Sequence, residues 1–313
     1  MALYTKHTEK LYKAVLWAGN IVLMLVAVAV SLIYAYHVRT SQIEVKQADF
    51  ISTVESMKSV SQNYLDSERG YVENWAFYIN DRQMTREEAL DFLRSINTNP
   101  GRYVHIVDME NFDAWSASYP AGHDEIDTYH RFQGELKDWE QLMLDAMWEM
   151  YNGTAPKFTV VGRYQLDETV SPAVSVGARI TLQTEDGTKD FLLLRAIPTN
   201  VLQKTWVFPA EYQSAEVGIM TTKGGYVIQS PSMKSISFPE YIRGYNFQDD
   251  YNKVDSFQKE LESTDHGVLC YKNFRNEDCL WYYSSFGGNS NLDILGVIRL
   301  DELQPENGTW LIV

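Results

Sequence analysis

Six histidines and several groups of carboxylates are the side chains in this sequence that could bind a metal ion or take part in acid–base catalysis. The densest group is Gly122–His130, where two histidines seven residues apart enclose three carboxylates. That spacing fits two helical turns, but a polar loop leading into a helix explains it better. Asp108, Glu110 and Asp113 likewise indicate a solvated turn rather than a paired acid and base.

Motifs of the common catalytic classes are missing from these 313 residues. The sequence has no His-Glu-x-x-His zinc helix, no Gly-x-Ser-x-Gly nucleophile elbow, no Walker-type glycine loop and no Gly-Gly-Asp-Glu-Phe signature. We therefore expect no catalytic residue, no metal site and no cofactor in this chain. A kinase or cyclase activity of the same protein would need residues outside it.

The two cysteines, Cys270 and Cys279, flank eight residues whose pattern predicts a strand, a tight turn and a second strand. A two-residue loop at 274–275 would place Asn273 opposite Asn276 and the cysteines directly opposite each other. Such a pair brings the two Cα atoms to about 4.5 Å, within the range of a disulfide. The sequence predicts this disulfide, with two free thiols as the alternative.

Near the N-terminus, residues 14–36 form the apolar run of the chain that is long enough to span a membrane. At about 1.5 Å per helical residue it reaches roughly 35 Å. Asn20 and Ser31 are its polar residues, and Trp17 and Tyr34 lie near its ends, as interfacial anchors do. The run predicts a transmembrane helix, with a cleaved signal peptide as the alternative.

The basic residues around this run predict its orientation. Lys6, Lys10 and Lys13 precede it, whereas Arg39 and Lys46 follow it closely. The positive-inside rule then places the N-terminus in the cytoplasm and the following domain outside the cell membrane.

Charge excludes one class of partner. The chain has 42 acidic and 27 basic residues, and all of the acidic excess lies after the apolar run, because residues 1–36 contain three basic residues and one acidic residue. Such a surface repels phosphates, and no basic stripe offsets it, so we expect no nucleic-acid binding.

After the apolar run, the spacing of apolar residues predicts a long stalk helix. The apolar residues that recur every seventh position are Ile43, Phe50, Met57, Tyr64, Tyr71 and Tyr78. A second line is mixed in character and contains Gln47, Val54, Ser61, Glu68 and Trp75. This half of a coiled-coil seam predicts packing against the protein's own domains and, in part, a homodimer. A capping box at Thr85–Glu88 predicts a second helix that runs to about Ile96.

Two copies of one pattern follow, each with two strands, helical residues and three more strands. The first copy has predicted strands at 103–107, 112–116, 158–164, 173–182 and 191–197, with helical residues at 126–151. The second has predicted strands at 216–221, 226–230, 268–272, 280–284 and 292–300, with helical residues near 239–242 and 254–261. The predicted fold class is α+β, with two tandem units hung on one long helix.

An N-terminal span, a long helix and two five-stranded units together resemble the double Cache (dCache) sensor domains of bacterial transmembrane receptors. The most specific stretches are residues 215–232 and 238–246, which are similar to the membrane-proximal unit of (hybrid) sensor histidine kinases. The resemblance implies two PAS-like units with five-stranded antiparallel sheets. It also implies a small extracellular ligand, usually in the membrane-distal unit, and a second span that leads to a cytoplasmic output domain.

The resemblance divides the chain into six segments. These are a cytoplasmic tail (1–13), a transmembrane helix (14–36), the stalk and capped helix (37–96), a membrane-distal unit (97–205), a membrane-proximal unit (206–304) and the approach to a second span (305–313). The approach contains a tryptophan followed by aliphatic residues, which is typical of the start of a span. We therefore expect the chain to be part of a longer receptor.

A ligand pocket in such a unit needs apolar walls and a few convergent polar groups. The candidate residues of the distal unit are Trp115, Tyr129, Arg131, Trp139, Tyr164 and Arg179. Either arginine could bind a carboxylate by two hydrogen bonds. Amino-acid-binding members of the family carry an Arg-x-Trp-aromatic arrangement, which Tyr129–Phe132 matches only in part, so the sequence does not name the ligand.

We therefore predict that the chain is the extracytoplasmic sensor and signal-transducing region of a membrane receptor. It is expected to bind a small molecule and to act as a homodimer. A two-component histidine kinase is the predicted whole protein. The alternatives are the sensor of a diguanylate cyclase or chemoreceptor, and a surface-anchored structural or adhesive protein.

Overall fold

The computed structural model describes residues 2–97, 103–117, 138–154, 159–166, 169–235, 237–246, 257, 259–261, 263–287 and 290–304. These residues belong to two units, one of Met1–Phe50 with Leu300–Val313 and one of Ile51–Arg299. Each unit is described by itself below.

The first unit is dominated by the beginning of helix α1, which runs from Ala2 to Arg82. By length and composition α1 is the one helix among the described residues that could cross a membrane, and its apolar window is fully exposed. A turn at residues 300–303 lies against this part of the helix. Arg39 donates to the Gln304 side chain at 2.9 Å, and Lys46 Nζ donates to the carbonyls of Glu302 and Gln304 at 3.3 and 3.1 Å.

The second unit begins with the rest of α1 and with α2 (Arg86–Ile96). The predicted capping box starts α2: Glu88 N donates to Thr85 Oγ1 at 3.3 Å, and Thr85 N donates to Glu88 Oε2 at 2.8 Å. These two bonds satisfy backbone groups that the first helical turn leaves free.

The N-terminal sheet has five antiparallel strands in the order β2-β1-β5-β4-β3. Its strands are β1 (Tyr103–Val107), β2 (Ala114–Ser116), β3 (Thr159–Leu166), β4 (Thr169–Thr184) and β5 (Gly187–Pro198). Helix α3 (Asp138–Asn152) precedes β3, and α4 (Thr199–Gln203) follows β5. A turn at Glu185–Asp186 joins β4 to β5, because Thr184 pairs with Gly187.

The C-terminal sheet repeats this arrangement with the order β7-β6-β10-β9-β8. Its strands are β6 (Glu216–Thr221), β7 (Tyr226–Ile228), β8 (His266–Lys272), β9 (Asp278–Ser285) and β10 (Leu292–Arg299). Helix α5 (Phe238–Tyr245) begins at the N-cap Ser237. In both sheets the last strand lies at the centre, so the prediction of two five-stranded copies of one α+β unit on a long helix is confirmed.

The buried face of α1 in the second unit differs from the predicted seven-residue stripe. Its buried residues follow steps of three and four and are Val54, Met57, Ser61, Leu65, Glu68, Val72, Ala76 and Ile79. Tyr71 and Tyr78 of the predicted stripe are 44% and 39% exposed. An α-helix has 3.6 residues per turn, so residues spaced by seven do not stay on one side of it. Their direction rotates by about 20° per heptad, and the stripe turns away from the sheet.

The turn between β8 and β9 also differs from the prediction. Asn273 N donates to Glu277 O at 2.9 Å, so these two residues close the hairpin and the loop has three residues, 274–276. Asn276 has φ 63°, in the left-handed region that asparagine tolerates better than most residues. The predicted two-residue loop is therefore one residue too short.

The longer loop separates the two cysteines. Cys270 pairs with Leu280, and Cys279 pairs with Tyr271. Because successive side chains point to opposite faces of a strand, a slip of one residue puts the cysteines on different faces. Cys270 is exposed, Cys279 is buried, and both thiols are free, so the predicted Cys270–Cys279 disulfide is wrong.

Candidate functional site

Two faces of the N-terminal sheet have different neighbours. On one face, β1 and β5 pack against α3 in an apolar cluster that includes Val107, Leu192, Leu194, Met143, Met147 and Met150. Gly177 of β4 allows this close packing, since a Cβ atom there would lie 2.9 Å from the sulfur of Met150. The opposite face carries Arg195, which contacts α1. The two faces are called the α3 face and the α1 face.

A polar patch interrupts the apolar α3 face. His105 lies opposite Leu194 on one side and Ser116 on the other, and Ser175 lies opposite Ala196. Directly opposed residues of neighbouring strands share a face, so His105, Ser116 and Ser175 all lie on the α3 face. All three are buried.

The patch is uncharged. Burial lowers the pKa of His105 to about 3, so its imidazole stays neutral at any physiological pH. A base with so low a pKa accepts protons poorly near neutrality, which disfavours general-base catalysis here. Ser175 Oγ has no hydrogen-bond partner among the described residues. Neutral donors and acceptors of this kind suit the binding of a small polar molecule.

Charged side chains lie at one end of the α3 face. Arg179 of β4 lies opposite Leu192, and its Nη1 is 3.8 Å from Asp190 Oδ2. Thr181 Oγ1 donates to Asp190 Oδ1 at 2.6 Å. The guanidinium of Arg179 also lies 5.8 Å from the centre of the Tyr151 ring. Arg179 is more than half exposed and already has an acidic neighbour.

Trp115 and Arg179, two of the predicted pocket residues, lie on opposite faces of the sheet. Trp115 of β2 pairs with Ile106 and packs against Phe191 with ring centres 6.1 Å apart. The Arg86 guanidinium covers the same indole at 4.4 Å. Because Phe191 and Leu192 alternate along β5, Trp115 is on the α1 face and does not share a pocket with Arg179.

The structure places the other predicted residues only in part. Trp139 is the second residue of α3, and Tyr164 lies in β3 opposite Ser171. Tyr129 and Arg131 fall outside the described residues.

His105 and Ser175 are the site residues that the sequence reasoning missed. A signal was present, because each is a polar residue inside a short apolar run, Val104-His105-Ile106 and Val174-Ser175-Val176. Polar residues at such positions are buried on one face of a central or near-central strand. Only the strand pairing shows that both lie on the same face.

On its α1 face the N-terminal sheet is joined to α1 by a buried ion pair. Arg195 of β5 contacts Glu68 of α1, and its guanidinium lies 5.4 Å from the centre of the Trp75 ring. Burial lowers the pKa of Arg195 to about 10, so the guanidinium stays charged. Arg195 lies between Leu194 and Ala196 of the α3 face, so one strand carries both the polar patch and the contact with α1.

The C-terminal sheet has polar contacts with α1 as well. Lys58 Nζ donates to Ser284 Oγ at 2.7 Å and pairs with Glu55 at 2.6 Å. Tyr282 donates to Glu55 at 2.6 Å. Burial raises the pKa of Glu55, but the hydrogen bonds of Lys58, Ser284 and Tyr282 outweigh it, so the net effect is a lowered pKa. Glu55 therefore stays ionised and keeps these contacts.

No protein-family model and no curated protein matches this sequence. Solved structures do match its fold. The extracellular domain of a histidine kinase, rpHK1S-Z16, is 13% identical, covers 82% of this chain and 95% of its own, and gives a TM-score of 0.55. The periplasmic sensory domain of the Campylobacter jejuni chemoreceptor Tlp1 is 12% identical, covers 83% and 98%, and gives a TM-score of 0.58.

A third similar structure is the ligand-binding domain of the Pseudomonas aeruginosa amino acid chemoreceptor PctB in complex with L-Gln. It is 10% identical, covers 83% of this chain and 96% of its own, and gives a TM-score of 0.52. At these identities the likeness concerns the fold. The chain has the fold of the sensor domains of bacterial histidine kinases and chemoreceptors, as its sequence predicts.

Proposed function

We propose that this chain is the extracytoplasmic ligand-sensing and signal-transducing region of a bacterial membrane receptor. The observation that carries the proposal is the pair of five-stranded sheets with the same strand order, both in polar contact with one helix that begins as an apolar span. A sensor needs a site for its signal and a mechanical connection to the membrane. This arrangement supplies both within one chain.

The proposed ligand site is the polar patch of the α3 face. Its buried, neutral His105 and Ser175 would bind the polar part of a small molecule, and the methionines of α3 would contact the rest. Arg179 at the end of the face would meet a ligand carboxylate only by leaving Asp190. PctB, which has the same fold, is in complex with L-Gln. Free amino acids are therefore the first ligands to test, followed by small carboxylates.

Ser175→Ala is the sharpest test of this site. The Ser175 hydroxyl has no hydrogen-bond partner among the residues that the structure describes, so its removal breaks no bond there and the variant should fold as well as the wild type. Ligand affinity should fall about 5- to 10-fold, the equivalent of one hydrogen bond. Ligands are found by thermal shift of the full chain in nanodiscs against an amino acid and carboxylate panel, and affinities are measured by calorimetry.

Ser230→Ala is the matched control. Ser230 is also buried, and its hydroxyl also has no hydrogen-bond partner among the described residues, but it follows β7 of the C-terminal sheet. This variant should bind as the wild type does. An affinity that is equal in Ser175→Ala and wild type would place the ligand elsewhere. A chain that responds to no compound in the panel would contradict the proposal of a small-molecule sensor.

Signal transmission is proposed to run through β5. A ligand on the α3 face would change the position of Leu194 and Ala196, and Arg195 between them is held by Glu68 of α1. The ligand shifts the equilibrium between two packings of α1 only by as much as it prefers one of them. A shift of α1 would then also change the contacts of Lys58 and Glu55 with the C-terminal sheet.

The whole protein is proposed to be a two-component histidine kinase, with the N-terminus of this chain in the cytoplasm. The similarity to the rpHK1S-Z16 domain supports this choice, and the similarity to Tlp1 keeps a chemoreceptor as the second candidate. The gene sequence after Val313 decides between them. A kinase core with a phosphorylatable histidine supports the first, and a long methyl-accepting helical hairpin supports the second.

A homodimer is proposed to form through the solvent face of α1. Exposed or half-buried uncharged residues recur there in steps of four and three: Ser56, Val60, Asn63, Ser67, Gly70, Asn74 and Phe77. Phe77 is 72% exposed and Val60 48%. This spacing is the one that two helices need to pack side by side.

Phe77→Glu should weaken the dimer at least 10-fold, because two carboxylates would face each other at the helix contact. Analytical ultracentrifugation of the full chain in detergent measures the change. Ser95→Glu, which adds the same charge on the exposed side of α2, should leave the dimer intact. A wild-type chain that sediments as a monomer over the whole concentration range would refute this contact.

A further inference from the structure

One carboxyl of the C-terminal sheet is buried without a hydrogen-bond partner for one of its oxygens. Asp293 of β10 pairs with Met220 of β6 and Ser285 of β9, and it is 3% exposed. It shares a face with Leu295, which belongs to the apolar cluster beside α5. Its Oδ2 has no hydrogen-bond partner in the described part of the chain. An ionised carboxylate in such a place loses its hydration and receives little in return.

The charged and titratable groups around Asp293 come from four parts of the chain. Asp265 precedes β8, and its carbonyl accepts a hydrogen bond from Ser285 N at 2.7 Å, next to Asp293 in the ladder. Lys58 of α1 contacts Ser284, which lies on the other face of the sheet, and its positive charge acts on Asp293 across the sheet. The Tyr283 hydroxyl of β9 interacts with Asp293 and is bonded to Glu260 at 3.2 Å.

These groups act on Asp293 in opposite directions. Burial, first, and the negative charge of Asp265 raise the pKa of Asp293, the positive charge of Lys58 lowers it, and the net result is a pKa of about 7. Lys58 is also the residue that joins α1 to the C-terminal sheet, through Ser284 Oγ at 2.7 Å and Glu55 at 2.6 Å. The charge on Asp293 therefore acts on a residue that holds the stalk helix.

We propose that the Asp293 carboxyl is a proton-binding site through which the C-terminal module responds to external pH, with Lys58 as its connection to α1. Loss of the proton to solvent leaves a buried negative charge, which attracts Lys58 across the sheet and weakens its contacts with Glu55 and Ser284. Uptake of the proton removes that pull and leaves Lys58 with its two partners. The inference goes beyond the proposed ligand site, because it concerns a different sheet and needs no small molecule.

The sign of the effect on stability follows from the raised pKa. The folded chain keeps on Asp293 a proton that the unfolded chain, with an ordinary pKa of 3.8, has already released. The stabilisation from this residue is complete below pH 3.8, is lost as the pH rises toward about 7, and stays lost above it.

The test compares the Tm of the full chain in detergent with that of Asp293→Asn between pH 5 and 9. Asparagine is neutral at every pH, so it mimics the protonated, uncharged form of Asp293. From pH 5.5 to 7.5 the wild type should lose about 4–8 °C more than Asp293→Asn, and the difference should level off above about pH 7. Parallel curves for the two proteins would overturn the proposal.

Two charge variants test the surroundings, each compared with its double variant that also carries Asp293→Asn. Asp265→Asn removes a negative neighbour, so the levelling-off should move to lower pH. Lys58→Met removes the positive neighbour, so it should move to higher pH. Coupling between two charges is reciprocal. If Lys58→Met does not change the pH at which the Tm difference levels off, the proton on Asp293 does not act on Lys58, and the connection to α1 is overturned.

Asp278→Asn is the matched control, an identical change on the neighbouring strand β9 at an exposed carboxylate. It should keep the wild-type dependence on pH. If Asp293→Asn does not fold, the proposal is tested by the dependence of the Tm on pH in the wild type, Asp265→Asn and Lys58→Met. Opposite displacements of the two variants support the proposal, and superimposed curves overturn it.

Discussion

Glu68→Ala is expected to lower the free energy of unfolding by about 3–5 kcal/mol, because it leaves a buried charge without its partner. Glu68 and Arg195 are both almost fully buried where α1 meets β5. The variant leaves the guanidinium of Arg195 buried without its counter-charge, beside the ring of Trp75 and near Tyr64. Urea unfolding of the full chain in detergent, followed by circular dichroism, measures the loss.

The pair itself is a poor source of stability, because each ion loses its hydration when buried. Arg195 Nε and Nη1 have no hydrogen-bond partner among the residues that the structure describes. The double variant Glu68→Met/Arg195→Met should therefore be clearly more stable than Glu68→Ala and close to the wild type. We infer that the pair sets the register of α1 on the sheet, so the double variant should fold but respond to ligand weakly.

Glu73→Ala is the control for Glu68→Ala, five residues further along the same helix. Glu73 pairs with Arg69 at 2.7 Å, but both side chains are about half exposed. Solvent screens such a pair, so the loss should be only about 0.3–0.5 kcal/mol. Equal losses in Glu68→Ala and Glu73→Ala would mean that α1 does not bury Glu68 against β5.

Trp281→Ala is expected to cost about 3–5 kcal/mol, as large-to-small changes of buried aromatic residues do. Trp281 of β9 is fully buried, and its ring centre is 5.0 Å from that of Phe238 and 5.3 Å from that of Tyr241. Its indole nitrogen donates to the Tyr271 carbonyl at 3.1 Å. The variant loses these contacts and opens a cavity between β9 and α5. Urea unfolding measures the effect in the same way.

Two further variants make the Trp281→Ala result specific. Trp148→Ala removes an indole of α3 that is 36% exposed and contacts Tyr151, so it should cost clearly less than Trp281→Ala. Trp281→Phe keeps much of the buried ring volume and should fall between the wild type and Trp281→Ala. A loss in Trp281→Ala as small as that in Trp148→Ala would contradict the core described for the C-terminal sheet.

Much of the secondary structure could be predicted because its causes are local. The strands predicted at 103–107 and 216–221 have the observed bounds, and the capping box at Thr85 starts α2 where expected. Alternation of apolar residues, turn residues and caps are properties of neighbouring positions. The repeated order of elements then indicated two copies of one sheet, and the comparison with solved structures agrees.

Pairing across the chain could not be predicted in the same way. The β8–β9 turn has three residues instead of two, which moved every facing pair by one position and separated Cys270 from Cys279. Trp115 and Arg179 belong to different strands, and the local pattern does not say which face each side chain takes. One pocket on this sheet therefore cannot contain both Trp115 and Arg179, because a pocket is a property of one face.

The amino-acid sequence by itself determined the membrane-spanning run, the types and order of the elements, and the absence of a catalytic motif in this chain. Only the tertiary structure decided which polar residues are buried and where: His105 with Ser175 on one face of the N-terminal sheet, Glu68 with Arg195 on its other face, and Asp293 in the C-terminal sheet. The physical reason is distance along the chain. Local periodicity selects helix or strand, whereas the partner of a buried charge or hydroxyl comes from another element, placed by strand register and by the rotation of α1.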